Sequence, residues 1–280
     1  MNMKYNQIKI DYDELYKKIQ KESYVDPNKE LEYPPIAISK GSTGGPFDYP
    51  LHIATYGNFS FIQAPPKNKK TFFLCLMASV YLSDKNEFGK DILGKRENKK
   101  LIHYDTEQGE FHAQKTFNRI VKMAKTDKDY LPFALRKYSS KERLEFINWH
   151  LYKEKNIGFV IIDGIADLIN DVNDIEASSD LVQYLMKWTQ ELNIHIMTVI
   201  HSNWNSDKPT GHLGSFLEKK TETQIALKND SEDDSLVLVK CKRSRGYSFN
   251  DFAFRINSNN YPEVVGDLPS LVNGDPFINI

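Results

Sequence analysis

The chain has 280 residues, with 37 Lys and Arg against 38 Asp and Glu, so 37 − 38 leaves a formal charge of −1. A composition 40% hydrophobic and 27% charged is that of a folded protein, and the near-zero charge excludes a bulk polycation that coats nucleic acid or anionic membrane. No apolar stretch approaches the ~18 residues that span a bilayer, the opening MNMKYNQIKIDYDELYKK lacks the apolar core of a signal peptide, and Cys75 and Cys241 form no metal-ligand pair. The expectation is a cytoplasmic chain without disulfides and without a membrane partner.

Residues 1–30 are polar, with one amphipathic helix expected around 12–19. Residues 33–50, rich in Pro and Gly, read as an irregular connector. From residue 51 short apolar runs alternate with helical stretches. The runs 59–63, 101–105, 158–163 and 194–201 have the length and the Ile, Val and Phe content of strands buried on both faces. Residues 70–82 are apolar nearly all round and suit a helix buried against a sheet. Ala113, Phe117, Ile120, Val121 and Ala124 make a helical stripe. Leu144, Ile147 and Leu151 make another, behind Ser139 and Glu142 in capping-box spacing. Leu181, Leu185, Trp188 and Leu192 make a third, with Ser178 and Ser179 as candidate caps. Strand–helix–strand alternation predicts right-handed units in a mostly parallel sheet. Runs at 223–228 and 236–242, around the acidic turn NDSEDDS, and a run at 252–256 predict antiparallel strands at the end.

The turn after the first run reads Ala64-Pro65-Pro66-Lys67-Asn68-Lys69-Lys70-Thr71 and opens the apolar helix. It has the length of the phosphate-loop pattern G-x-x-x-x-G-K-[ST], but Ala64 and Lys69 replace both glycines. In that reading backbone N–H groups and the helix N-terminus surround the phosphates. Lys70 reaches the β- and γ-phosphate oxygens, and the Thr71 hydroxyl holds Mg²⁺. A solvated lysine cluster opening a helix is the alternative. The run at 159–163 weighs against it, because it ends in Asp163, which a buried parallel strand would deliver to the same sheet edge beside the Mg²⁺.

The run at 101–105 leads into Thr106 and Glu107, between the two motifs, and Glu107 is a carboxylate of the kind that orients an attacking water and accepts its proton. The alternative is that Thr106 caps the next helix and Glu107 merely favours its positive end. The run at 194–201 ends in His201, which on its chemistry alone reads as a hydrogen-bonded histidine at a strand end. His195, among apolar neighbours, reads as structural. Residues 203–220 read as a long polar loop, the best candidate for nucleic acid, with Lys208, Lys219 and Lys220 for phosphates and Trp204 for stacking. Lys240, Lys242, Arg243 and Arg245 are either a solvated strand end or cations that enter a neighbouring subunit's nucleotide site. That second role needs a head-to-tail interface, hence a ring or filament.

The segments GNFSFIQAPPKNKKTFF, HYDTEQGEFHAQKTFNRI, IGFVIIDGIADLINDVND, LMKWTQELNIHIMTVIHSN and TGHLGSFLEKKTETQIAL run in the order of the RecA/DnaB-type AAA-family ATPases. Across residues 51–256 the chain most resembles the compact RepA-like replicative ATPases of plasmids, phages and mobile elements. The resemblance implies an α/β fold: a RecA-like P-loop core, its mostly parallel sheet flanked by helices and ending in antiparallel strands. That core would span 51–260, after an extension and connector at 1–50 and before a tail at 261–280. It further implies ATP and Mg²⁺ as cofactors, and a hexameric helicase ring on single-stranded DNA. Residues 64–71 are implied to hold nucleotide, with Lys70 catalytic, and Thr71 and Asp163 to hold metal. Glu107 is implied as the base and His201 as the sensor. Lys242 with Arg243 or Arg245 is implied as the finger. Thr210 stands where relatives often carry an arginine. A nucleotide-dependent loader or regulator without processive unwinding is the alternative; a small-molecule kinase would need an arginine-rich lid, which the late cations fit poorly.

Overall fold

The computed structural model describes residues 12–44, 46, 48–83, 87–203 and 208–268. Backbone contacts divide the chain into two units, Met1–Tyr33 and Pro34–Ile280. In the first, Tyr12–Ser23 forms helix α1, with Asp13 and Glu14 at its positive end. None of its residues is buried, and Tyr12, Leu15, Tyr16 and Ile19 form an exposed stripe at helical spacing.

The second unit begins inside the expected connector. There Ile36–Ser42 forms β1, which pairs antiparallel with β2 (Pro50–Thr55) and β4 (Ile92–Gly94). Its apolar part, Ile36 to Ile38, is too short to stand out between prolines and glycines. Lys40 on β1 is buried, and its ammonium bonds Asp91 at 2.8 Å and also Asp267, near the far end of the chain.

Among the described residues a second sheet has nine strands. Six run parallel: β3 (Phe59–Ala64), β5 (Lys100–Asp105), β6 (Tyr130–Ala134), β7 (Ile157–Asp163), β8 (His195–His201) and β9 (Thr223–Asn229). Then β10 (Leu236–Ser244), β11 (Phe252–Ile256) and β12 (Pro262–Asp267) continue antiparallel. The spatial order is β12-β11-β10-β9-β3-β8-β7-β5-β6. Strand β12 lies within the stretch expected to be a tail. Its alternation of buried and exposed residues, with Glu263 and Gly266 in it, gives little apolar signal.

Helices cover both faces, as the mostly parallel sheet requires. Alternate strand residues separate two cores. Phe159 and Ile161 join the core with α2 (Lys70–Leu82), α3 (Glu110–Ala124) and the small sheet; Val160 and Ile162 join the other. That second core is covered by α4 (Ser140–Lys153), α5 (Ile175–Leu192) and α6 (Gly211–Lys220). The capping box forms, with the Glu142 amide on the Ser139 hydroxyl at 3.3 Å and the Ser139 amide on the Glu142 carboxylate at 2.8 Å. Ser178 and Ser179 lie inside α5 instead of capping it. Asp174 is the cap, its carboxylate accepting the Ala177 N–H at 3.0 Å. The long loop expected over 203–220 is also shorter. From Gly211 the chain is helical, because Leu213 and Leu217, one turn apart, are buried in the second core.

Candidate active site

Four parallel strands end side by side, and their last residues meet at one edge of the sheet. Ala64 of β3 lies opposite His201 of β8, and Asp105 of β5 lies opposite Asp163 of β7. Strand β8 sits between β3 and β7, so His201 stands between the turn after β3 and the buried acid. A cleft of about 480 Å³ opens there, lined by residues 66–72, Glu107, Asp163 and His201. The candidate phosphate loop, base, metal ligand and sensor thus share one cavity.

The loop keeps its shape without glycine. Lys67 and Lys69 both adopt left-handed backbone conformations, with φ of 67° and 57°, at a cost of roughly 1–2 kcal/mol each. Asn68 braces the turn. Its side-chain amide donates to the Pro65 and Pro66 carbonyls at 3.4 and 3.3 Å, and its oxygen accepts the Asn229 N–H at 2.9 Å. The Lys70 ammonium turns onto the Ala64 and Pro65 carbonyls at 3.4 and 3.1 Å and onto His201 Nδ1 at 3.1 Å. Burial lowers the pKa of Lys70, opposed by the nearby Glu107 and Asp163 carboxylates. Burial and Lys70 lower that of His201, whose Nδ1 is the acceptor of the ammonium's hydrogen bond.

The Thr71 hydroxyl lies 3.3 Å from Asp163 Oδ2. Burial, then Asp105 and Glu107, push Asp163 up to about 7. A buried carboxylate held this way, with a hydroxyl beside it, is a donor set for a hard divalent cation. Among the described residues no group of three or more His, Cys, Asp or Glu makes a cage. Such a cation would therefore take its remaining ligands from phosphate and water, which is the habit of Mg²⁺ and not of Zn²⁺.

Glu107 is exposed at the mouth of the cleft, and its backbone is held from below. Asp105 Oδ1 accepts the Glu107 and Gln108 N–H groups at 3.1 and 2.8 Å. Burial pushes Asp105 up to about 6, and its other oxygen is buried with no hydrogen-bond partner. Thr106 does not cap α3, whose cap position is Gly109. Its hydroxyl instead accepts the Gly164 N–H at 2.8 Å and lies within 3.1 Å of the Asp163 and Gly164 carbonyl oxygens and Asp167 Oδ2. Thr106 thus clasps the turn that follows the metal-ligand candidate. Sequence reading missed both positioning roles, although Asp105 and Thr106 stand beside Glu107 at the end of a buried strand.

Two further features of the cleft came only from packing. His112, Lys115 and Arg119 of α3 line it beside the loop. Lys67, Lys69, Lys70, Lys115 and Arg119 line the cleft with two carboxylates, Glu107 and Asp163, a formal excess of 5 − 2 = 3 positive charges. Thr210, already singled out in the sequence, ties down the end of β8. Its N–H and hydroxyl bond the His201 carbonyl at 3.0 and 2.8 Å.

The remaining described candidates lie outside the cleft. Lys208 is exposed, Lys219 and Lys220 are exposed in the last turn of α6, and Trp204 falls outside the described residues. Lys242 is half-buried, while Arg243 and Arg245 are exposed at and just beyond the end of β10. His195 is buried between Ser60 and the Thr55 carbonyl, at 2.9 and 2.8 Å, and burial lowers its pKa to about 3. It is a neutral structural histidine. No helix among the described residues is long and apolar enough to cross a membrane.

A family model described as an AAA domain matches residues 53–207, more than half of the chain. A solved structure titled the RadB recombinase is similar with a TM-score of 0.51 at 18% identity, over 76% of this chain and 92% of that one. No curated protein sequence matches. The parallel order of the strands, the cleft at their ends and these two likenesses agree: the chain belongs to the AAA domain family and has a RecA-like P-loop ATPase fold.

Proposed function

We propose that this protein is a Mg²⁺-dependent ATPase that works as a DNA motor or replication protein, a RepA/DnaB-like hexameric helicase on single-stranded DNA in the cytoplasm. The observation that carries the reading is the single cleft in which Lys70, Thr71, Glu107, Asp163 and His201 converge at the ends of adjacent strands. In this reading the loop backbone and Lys70 hold the β- and γ-phosphates, the lysine leaving its carbonyl partners for phosphate oxygens. Thr71 and Asp163 hold Mg²⁺, which supplies charge neutralisation at those oxygens. Glu107 orients water in line and takes its proton. His201 exchanges its bond to Lys70 when that ammonium moves, and Thr210 passes the displacement to α6. A DNA-handling role is supported by the recombinase among the similar structures and by the exposed lysines Lys208, Lys219 and Lys220 around α6; Trp204 is proposed to stack on bases.

A loader or regulator that uses nucleotide as a switch is the second reading. It is favoured by the two left-handed lysines and the tethered Lys70, which make the loop costlier to remodel at each turnover. Purified protein assayed for ATP hydrolysis and strand displacement, with and without single-stranded DNA, separates them. The helicase reading expects DNA-stimulated hydrolysis and unwinding. Slow, DNA-insensitive hydrolysis with ATP-dependent DNA binding selects the switch, and no nucleotide binding at all ends both.

A further inference from the structure

The α3 side of the cleft is basic in a way that the machinery above does not use. Lys115 and Arg119 stand one turn apart and both line the cleft. Arg119 is half-buried and pinned. Its guanidinium carbon lies 4.2 Å from the centre of the Phe72 ring, and Nη1 reaches the Cys75 sulfur at 3.8 Å. Phe72 follows Thr71 directly, so the guanidinium is anchored within one residue of the proposed metal ligand. That fork carries five N–H donors, and the thiol sulfur that takes one of them is a weak acceptor. Lys115 meets the Phe111 ring at 4.5 Å, and among the described residues neither cation has a carboxylate partner.

A guanidinium held over an aromatic ring has already lost much of its rotational freedom, so a ligand that engages it has less ordering to overcome. Its planar fork matches two oxygens of a phosphate, and the excess positive charge of the cleft favours a polyanion. We propose that Arg119, assisted by Lys115, forms a second phosphate-binding subsite that takes non-bridging oxygens of the nucleotide's polyphosphate from the α3 side, while the loop holds it from the other. The inference rests on the nucleotide reading above. A guanidinium that only covers Phe72 and Cys75 would make a different prediction, because packing does not discriminate phosphate from nucleoside.

Calorimetric titration of wild-type, Arg119→Gln, Arg119→Lys and Lys115→Gln proteins with Mg-ATP, adenosine and tripolyphosphate tests it, with folding followed by circular dichroism. Arg119→Gln is expected to weaken ATP and tripolyphosphate by about tenfold or more, the worth of a hydrogen-bonded charge, and to leave adenosine unchanged. Arg119→Lys keeps the stem and the charge and should fall between; it decides the matter if the glutamine variant does not fold. Lys115→Gln should lose less. Wild-type affinity for ATP in either Arg119 variant, or equal losses for adenosine and ATP, overturns the subsite. Wild-type protein that binds neither ATP nor adenosine defeats the nucleotide reading instead, and tripolyphosphate then decides the subsite alone. Its binding, lost in Arg119→Gln, supports the proposal, and its failure to bind rejects it.

Discussion

Asp105 and Asp163 end neighbouring strands in register; burial makes both harder to ionise, and Asp105 adds to the effect on Asp163. Between them and the loop stand groups of opposite duty. Lys70 is the cation whose charge Glu107 and Asp163 favour, and Glu107 stands exposed at the mouth, where water is available. Their substitutions should therefore separate binding from chemistry. Lys70→Ala removes a donor whose protein partners are backbone carbonyls and one histidine, and Asn68 still braces the turn. The fold should persist while ATP affinity drops about tenfold or more, and unchanged affinity in a folded variant would sink the phosphate role. Glu107→Gln leaves Thr71 and Asp163 in place. ATP should bind as before, and single-turnover hydrolysis should fall about 10²-fold, as loss of a positioned base implies. An unaltered single-turnover rate would remove Glu107 from the mechanism.

At the scale of elements, the junction between the two sheets holds an ionisable group that should leave its mark on stability. Glu222, just before β9, is 5% exposed; its carboxylate accepts the Thr55 N–H at 3.1 Å and the Thr55 hydroxyl. Burial pushes it up to about 7. Between the ordinary carboxylate range and that value the folded chain binds the proton more tightly than the unfolded one. This contribution to stability is present at acid pH and is lost as pH rises towards 7. Glu222→Gln keeps one acceptor and has no charge to bury. It should exceed wild type by about 1–3 kcal/mol at pH 8, with the gap closing towards pH 5, in urea titrations across that range. A gap independent of pH would mean that the carboxylate is not what titrates. The same elements show what was legible in the sequence. Strands β3, β5, β7 and β8 were, because burial on both faces makes a continuous apolar run. The positions of the candidate residues at their ends were legible with them. Strand β6 was not, since it is an edge strand with Pro132 exposed; nor was α6, whose ten residues include Gly211 and Gly214. Arg119 escaped for another reason. Its place in the cleft depends on how α3 packs on Phe72 and Cys75 of α2, which no spacing along the chain encodes.

At the scale of the molecule, strand direction decides which partner the late cations can serve. Strand β10 runs antiparallel to β9, so it ends where the parallel strands begin. Arg243 pairs with Gln224, and Ser244 with Thr223, which itself faces Ser60. Ser60 lies four residues before Ala64, where the cleft opens, a separation of roughly 13 Å along the strand. Arg243 and Arg245 therefore stand near the edge of the sheet opposite their own cleft, and Arg245 bonds the Lys220 carbonyl at 2.8 Å, joining them to the end of α6. A role for Lys242, Arg243 or Arg245 in phosphoryl transfer must then be played on a neighbouring copy, through a head-to-tail contact that closes into a ring or runs on as a filament. If one of them plays it, hydrolysis should depend on protein concentration, because a lone subunit would lack the finger. Neutralising Arg243 and Arg245 should depress turnover far more than ATP binding. Mixing that variant with Glu107→Gln protein should restore part of the activity, since some mixed interfaces pair an intact Glu107 with an intact finger. If the basic patch serves only DNA, the mixture will show no recovery beyond the sum of its parts. Protein that stays monomeric by light scattering with ATP and DNA present, yet hydrolyses at full rate, would defeat the finger and the ring together.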